Sequence, residues 1–150
     1  MPRAPFQVLA FPFCRFNHSI EYAVFKRADA GYWQGIAGGG EDTETPLEAV
    51  QREAREEAGI TDDAQFVSLV SCNTVPVIEL AGSLMWGPDV LVVPEHCFGI
   101  KVANKRLTIS REHSTYQWAP YETARSLLKW DSNKNALWEL NYRLTASNTP

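Results

Sequence analysis

Glu53, Glu56 and Glu57 follow three consecutive glycines in the stretch GGGEDTETPLEAVQREAREEAGI, residues 38–60. At ~100° per helical residue the three carboxylates fall at roughly 0°, −60° and +40°, so they share one helix face. A cluster of carboxylates with no His or Cys partner is a hard-oxygen site, which suits Mg²⁺ or Mn²⁺ better than zinc. The competing reading is a salt-bridge-laced surface helix, because Glu48, Arg52 and Glu56 are spaced as successive i,i+4 pairs. Crowding weighs against it: like charges at 53, 56 and 57 repel, and a purely structural helix gains nothing from them.

The helix that positions these groups is well delimited. Thr45, Pro46 and Glu48 supply an N-cap, a first-position proline and a capping-box acid, and Gly59 stands where a left-handed C-terminal cap is wanted. Leu47, Val50, Ala54 and Ala58 form a neighbouring stripe expected to pack on a core. Ala49 is expected inside the acidic face, where a larger side chain would obstruct a ligand.

The pattern G-x5-E-x7-R-E-U-x-E-E-x-G-U (U apolar) is filled by Gly38, Glu44, Arg52, Glu53, Ala54, Glu56, Glu57, Gly59 and Ile60. It resembles the Nudix box, and a chance match is on the order of 10⁻⁶ per chain before helix composition bias is allowed for. Ala37 and Thr43 stand where the family often has glycine, and Ala54 is small for its apolar position. The resemblance implies a Nudix α/β/α sandwich with a mixed β-sheet. It also implies a hydrolase that uses Mg²⁺, or Mn²⁺, against a phosphoanhydride. Glu53, Glu56 and Glu57 would hold the metal, with a backbone carbonyl from Ala37 or Gly38, and Arg52 would orient the glutamates.

Beyond the box, E-H-x-x-Y-x-W in ISREHSTYQW resembles the segment that follows the box in many Nudix pyrophosphatases and nominates Glu112 as a further metal-holding acid. A solvated loop carboxylate is the plainer reading of Glu112, and a structural hydrogen-bonder that of His113. Arg27 could meet phosphate and Tyr32 or Trp33 could stack on a base or pterin ring, against the plainer reading of surface cations and a core aromatic. Trp86 is a weaker candidate. The runs YAVFKRADAGYWQ, EHSTYQWAPYETA and LLKWDSNKNALWEL loosely resemble dihydroneopterin triphosphate and related nucleoside triphosphate pyrophosphatases. That implies release of pyrophosphate from a triphosphate. An asymmetric diadenosine polyphosphate hydrolase is the alternative enzyme, and a non-catalytic ligand-binding module the alternative of another class.

The remaining 127 positions outside residues 38–60 must build the frame, and at 45% apolar residues the 150-residue chain has enough for one core and one domain. A net charge of −4 without a basic stretch argues against nucleic acid as partner. It leaves a small polyphosphate that a cation must bridge to the acidic face. Cys14, Cys72 and Cys97 are odd in number and lack zinc spacing, pointing to reduced thiols and a cytoplasmic setting. The apolar start is short and broken by Pro12, so neither a signal peptide nor a membrane span is expected, and the chain is expected as a monomer or homodimer.

Strands are expected over 6–15, 20–27, 34–37, 65–75, 96–103 and 115–119, with a turn at Asn17. A helix is expected from Pro120 through Leu128 and a last one capped by Ser132, with Leu137, Leu140 and Leu144 on its apolar stripe. Residues 76–95, punctuated by proline and glycine, carry no motif and read as a long connection of the kind that is often functional or mobile. The polar tail from Thr145 is expected to fray.

Overall fold

The computed structural model describes residues 2–146. Its elements run β1 (Arg3–Phe16), β2 (Ser19–Arg27), β3 (Trp33–Gln34), β4 (Ile36–Glu41), α1 (Pro46–Ala58), β5 (Gln65–Pro76), α2 (Val77–Ala81), β6 (Val92–Lys101), β7 (His113–Ala119), α3 (Tyr121–Leu127) and α4 (Asp131–Ala146). They form an α/β/α sandwich around a mixed seven-stranded sheet.

β1 is the spine. It is buried without a break from Gln7 to Cys14, as expected of a strand covered on both faces. Its first half pairs antiparallel with β4 and its end with β2, while β6 runs parallel along the other edge. Pro12 falls between the last β4 partner at Ala10 and the first β2 partner at Phe13, where the antiparallel ladder is already interrupted. Alternation then divides the core. Leu9, Phe11 and Phe13 face α3 and α4, packing with Ala124, Leu137 and Leu140, whereas Val8 and Ala10 face α1, packing with Val50, Ala54 and Ala58.

α4 lies close on the sheet because Gly99 has no side chain: a Cβ there would stand 2.5 Å from Leu140 Cδ1. One α4 carboxylate also finishes the sheet. The β5–β6 register shifts between Ser68 and Cys72, and Glu139 accepts the Val70 and Ser71 N–H groups and the Ser71 hydroxyl at 2.6–2.8 Å. A bulge that would leave its amides unpaired is thereby satisfied from the helix.

Several expectations shift. The glycines do not form a loop after a strand over 34–37; they lie inside β4, paired to β1. Residues 76–95 contain α2, and β6 begins at Val92 rather than His96. α4 starts at Asp131, which puts Ser132 in its first turn instead of at the cap. Thr145 and Ala146 belong to that helix and not to a frayed tail, and the rest of the expected tail lies outside the described residues. α1 is also turned relative to its expected stripe: Leu47 is 44% exposed, while Ala49 is buried against the core beside Val50 and Ala54. Ala49 therefore packs on the sheet and does not line the acidic face.

Candidate active site

α1 begins and ends as its sequence dictates. Thr45 Oγ1 accepts the Glu48 N–H, Glu48 returns the bond to the Thr45 N–H, and Gly59 adopts φ 68°. Because Glu48 is spent on the cap, it does not pair with Arg52 as the competing salt-bridge-laced reading required. Arg52 instead reaches Glu44 at 2.8 and 3.1 Å, Glu53 at 2.8 Å and the Gly39 carbonyl at 2.8 Å, with Glu56 farther at 3.4 Å. This guanidinium ties α1 to the glycine strand, and its Glu44 bond holds the Glu44 carboxyl below the usual range.

The three glutamates are not equivalent. Glu56 is 58% exposed at its side chain, Glu53 12% and Glu57 2%. Glu53 lies against the backbone of Gly38, where a Cβ would stand 2.3 Å from its Cδ. Glycine at 38 is thus a matter of close approach. Without side chains at Gly38 and Gly39, Glu53 reaches a cleft of about 900 Å³ on the sheet.

Glu57 sits deeper. Among the described residues no hydrogen bond of ordinary geometry reaches either of its carboxylate oxygens, although the Glu53 carboxyl and the Ala37 backbone stand close enough to act on its titration. Burial raises its pKa, and the Glu53 and Glu112 carboxyls raise it further. Behind it, His113 Nε2 stands 3.7 Å from Glu57 Oε1, and neither imidazole nitrogen has a hydrogen-bond partner among the described residues. The satisfied hydrogen-bonder expected at His113 is not what the structure contains. Burial first, and then the Arg27 charge, depress the His113 pKa. Among the described residues no three His, Cys, Asp or Glu side chains converge as a ready-made cation cage. Yet a buried carboxyl beside two others is short of positive charge, and the donor set fits a hard divalent ion.

Gly38, Glu53, Glu112, Arg27 and Tyr32 all line the cleft. The Ala28 N–H bonds to the Glu112 carbonyl, which fixes the acidic segment against the end of β2. Arg27 is held by Asp29 through two bonds of 2.8 and 3.0 Å. Trp33, expected as a stacking residue, packs against the α3/α4 side of the core and is not on the cleft. Its expected place is taken by Trp130, whose ring meets Tyr32 edge-on with centroids 5.4 Å apart. Trp86 is also off the cleft, donating to the Arg3 carbonyl at 3.0 Å. From the motif-free segment, Pro76, Glu79, Leu80 and Glu95 contribute to the cleft wall.

Gln7, Glu95, Trp130 and Asn133 line the cleft without having been nominated by sequence. For Gln7 and Glu95 the signal is a polar residue inside an apolar run, as in FQVLAF and VVPEHCF, and Trp130 and Asn133 lie in the run LLKWDSNKNALWEL.

The model of the NUDIX domain matches residues 9–139. The dihydroneopterin triphosphate diphosphatase of Escherichia coli K12 is 30% identical over 114 residues, covering 75% of this chain and 76% of that protein. A Listeria monocytogenes crystal structure described as a NUDIX hydrolase superposes with TM-score 0.86 at 41% identity, covering 97% of each chain. The structure of the E. coli dihydroneopterin triphosphate pyrophosphohydrolase superposes with TM-score 0.76 at 22% identity, covering 93% of this chain and 98% of that one.

Proposed function

The chain belongs to the NUDIX family and is a Nudix pyrophosphohydrolase; from that premise we propose that it is a single Mg²⁺-dependent domain spanning residues 1–150 that cleaves a nucleoside triphosphate-like substrate to monophosphate and pyrophosphate. Dihydroneopterin triphosphate and the (deoxy)nucleoside triphosphates are the substrates considered, because a relative of that name covers three quarters of the chain. Glu57 carries the reading: a carboxyl buried to 2% exposure beside Glu53 and Glu112 is costly to ionise unless a cation completes it.

Glu53, Glu56, Glu57 and Glu112, with the Gly38 carbonyl, would hold Mg²⁺ or Mn²⁺. When bound, the ion neutralises charge on the diphosphate and lowers the pKa of the attacking water. The chain's own residues do the rest. Arg52 fixes Glu53 and the Gly39 carbonyl relative to each other, so the carboxylate is oriented before substrate arrives. A carboxylate of the cluster accepts the proton of the attacking water. The water oxygen bonds to phosphorus at the α–β bridge, the bridging P–O bond breaks, and pyrophosphate leaves. Arg27 exchanges one Asp29 bond for a phosphate oxygen, and Tyr32 with Trp130 flanks the ring.

Cys14, Cys72 and Cys97 are free thiols, which supports a reducing, cytoplasmic setting. No described helix is long and apolar enough to cross a membrane. A small-molecule substrate and a monomer or homodimer complete the proposal.

The test is product analysis with Mg²⁺ on dihydroneopterin triphosphate, dGTP, dATP and diadenosine tetraphosphate. Pyrophosphate with a monophosphate from the triphosphates is expected. Turnover of the dinucleotide alone would replace this reading with the asymmetric hydrolase, and turnover unaffected by chelator would remove the metal.

A further inference from the structure

Resting on the cleft as a triphosphate site, we propose that Gln7 and Glu95 read the substrate ring. The edge they select presents an oxo group, a ring N–H and an amino group in sequence, as guanine and pterins do. The pair lies on neighbouring strands. Register places Gly39, Gln7, Glu95 and Asn73 side by side across β4, β1, β6 and β5. Paired residues share a face, and Glu95 lies two strand spacings, roughly 10 Å, from the glycine strand that meets Glu53.

All three side chains in this row are unfinished. Gln7 is 7% and Glu95 8% exposed, yet among the described residues Gln7 Nε2 and Glu95 Oε1 have no partner, and neither does Asn73 Nδ2. Gln7 and Glu95 both line the cleft. Buried polar atoms in a folded core are ordinarily paired, so an open donor beside an open acceptor on a cleft floor is a recognition device waiting for its complement. Among the described residues no basic side chain is hydrogen-bonded or ion-paired to Glu95, so a ligand that brings N–H donors supplies the partner its buried oxygen lacks.

Order along the row selects the ring. Gln7 leans over Gly39, where a Cβ would approach Nε2 to 2.9 Å; its amide, free of partners among the described residues, can turn its NH2 to a ligand carbonyl on the glycine side, with the carboxyl acceptor beyond it. A ring matched to this order offers a carbonyl first and N–H groups next. Guanine and pterins carry the oxo group followed by two adjacent donors; adenine and cytosine carry an amino group beside a bare ring nitrogen. Hypoxanthine keeps the oxo group and the ring N–H and lacks only the amino group.

The experiment measures equilibrium binding of GMP, IMP, AMP and neopterin to the wild-type protein, then to Glu95→Gln. GMP or neopterin is expected to bind roughly tenfold to a hundredfold more tightly than IMP and AMP, since a buried carboxylate loses a charged hydrogen bond without the amino group. The tighter of GMP and neopterin identifies the ring. In Glu95→Gln the GMP-to-IMP ratio should fall to about one. Equal binding of GMP and IMP by the wild type, no binding of either GMP or neopterin, or an unchanged ratio in the variant overturns the inference. The two readings fail separately. Ring discrimination without triphosphate turnover removes the pyrophosphohydrolase substrate and leaves the ring reading; triphosphate turnover without discrimination does the reverse.

Discussion

Gly38→Ala isolates the close approach on which the site depends. Gly38 is not among the glycines at positive φ, so alanine is compatible with the backbone there. The added Cβ would stand 2.3 Å from Glu53 Cδ and 2.4 and 2.6 Å from its oxygens. Non-bonded carbons rest at about 3.5–4.0 Å, so Glu53 must retreat by roughly 1 Å. A misplacement of that size in a catalytic array costs on the order of 10²-fold, about 2.7 kcal/mol of transition-state stabilisation. Overpacking should lower stability by about 1–3 kcal/mol, and a thermal melt by circular dichroism separates that loss from the kinetic one. The assay is pyrophosphate release with Mg²⁺, read as kcat/KM for wild type, Gly38→Ala, Glu53→Ala and the double variant. If the methyl acts only by moving Glu53, it costs nothing once that side chain is gone, and the two losses are strongly non-additive. Full activity in Gly38→Ala, or simple additivity, would refute the reasoning.

Glu53→Gln and Glu56→Gln should each reduce turnover by roughly 10²–10⁴, and near-normal rates in both would remove the carboxylate mechanism. Arg52→Lys should weaken activity while leaving a charge at 52, because one ammonium cannot bridge Glu44, Glu53 and the Gly39 carbonyl together; unchanged kcat/KM would show the fork to be dispensable. Burial alone would raise the Glu139 pKa, but bonds from Ser71 and the Val70 amide, aided by Arg143, hold it at about 2 against 4.5. A folded pKa below the unfolded one stabilises above about pH 4.5, and that contribution is lost as pH falls through 2. Glu139→Gln should therefore be less stable in urea at pH 7, with the gap from wild type narrowing steadily between those values. A gap independent of pH would contradict this.

The local parts of the molecule were legible. The capping box at Thr45 and Glu48, the left-handed cap at Gly59 and the turn at Asn17 each depend on residues within a few positions, and each is in the structure. The Nudix box follows from the same local order, as do the apolar runs that became the buried strands. What a helix wheel could not give was rotation. Leu47 and Ala49 exchange their expected environments because the sheet beneath α1 decides which side faces in, and that sheet is assembled from distant strands. Trp33 and Trp130 differ in the same way: each is a tryptophan near a turn, and only the meeting of the β2–β3 connection with the start of α4 puts one in the core and the other on the cleft.

Register across strands was decided by tertiary structure alone. Nothing near Gln7 in the chain announces Glu95, and nothing near Val70 announces Glu139, yet pairing and helix docking set them side by side. The sequence by itself determined a capped helix bearing three acids after a run of glycines. The packing of the whole chain determined that one acid is buried, one reaches the cleft across Gly38 and one faces water. Side-chain identity is written locally, whereas burial and the field of neighbouring charges depend on contacts between residues far apart in sequence.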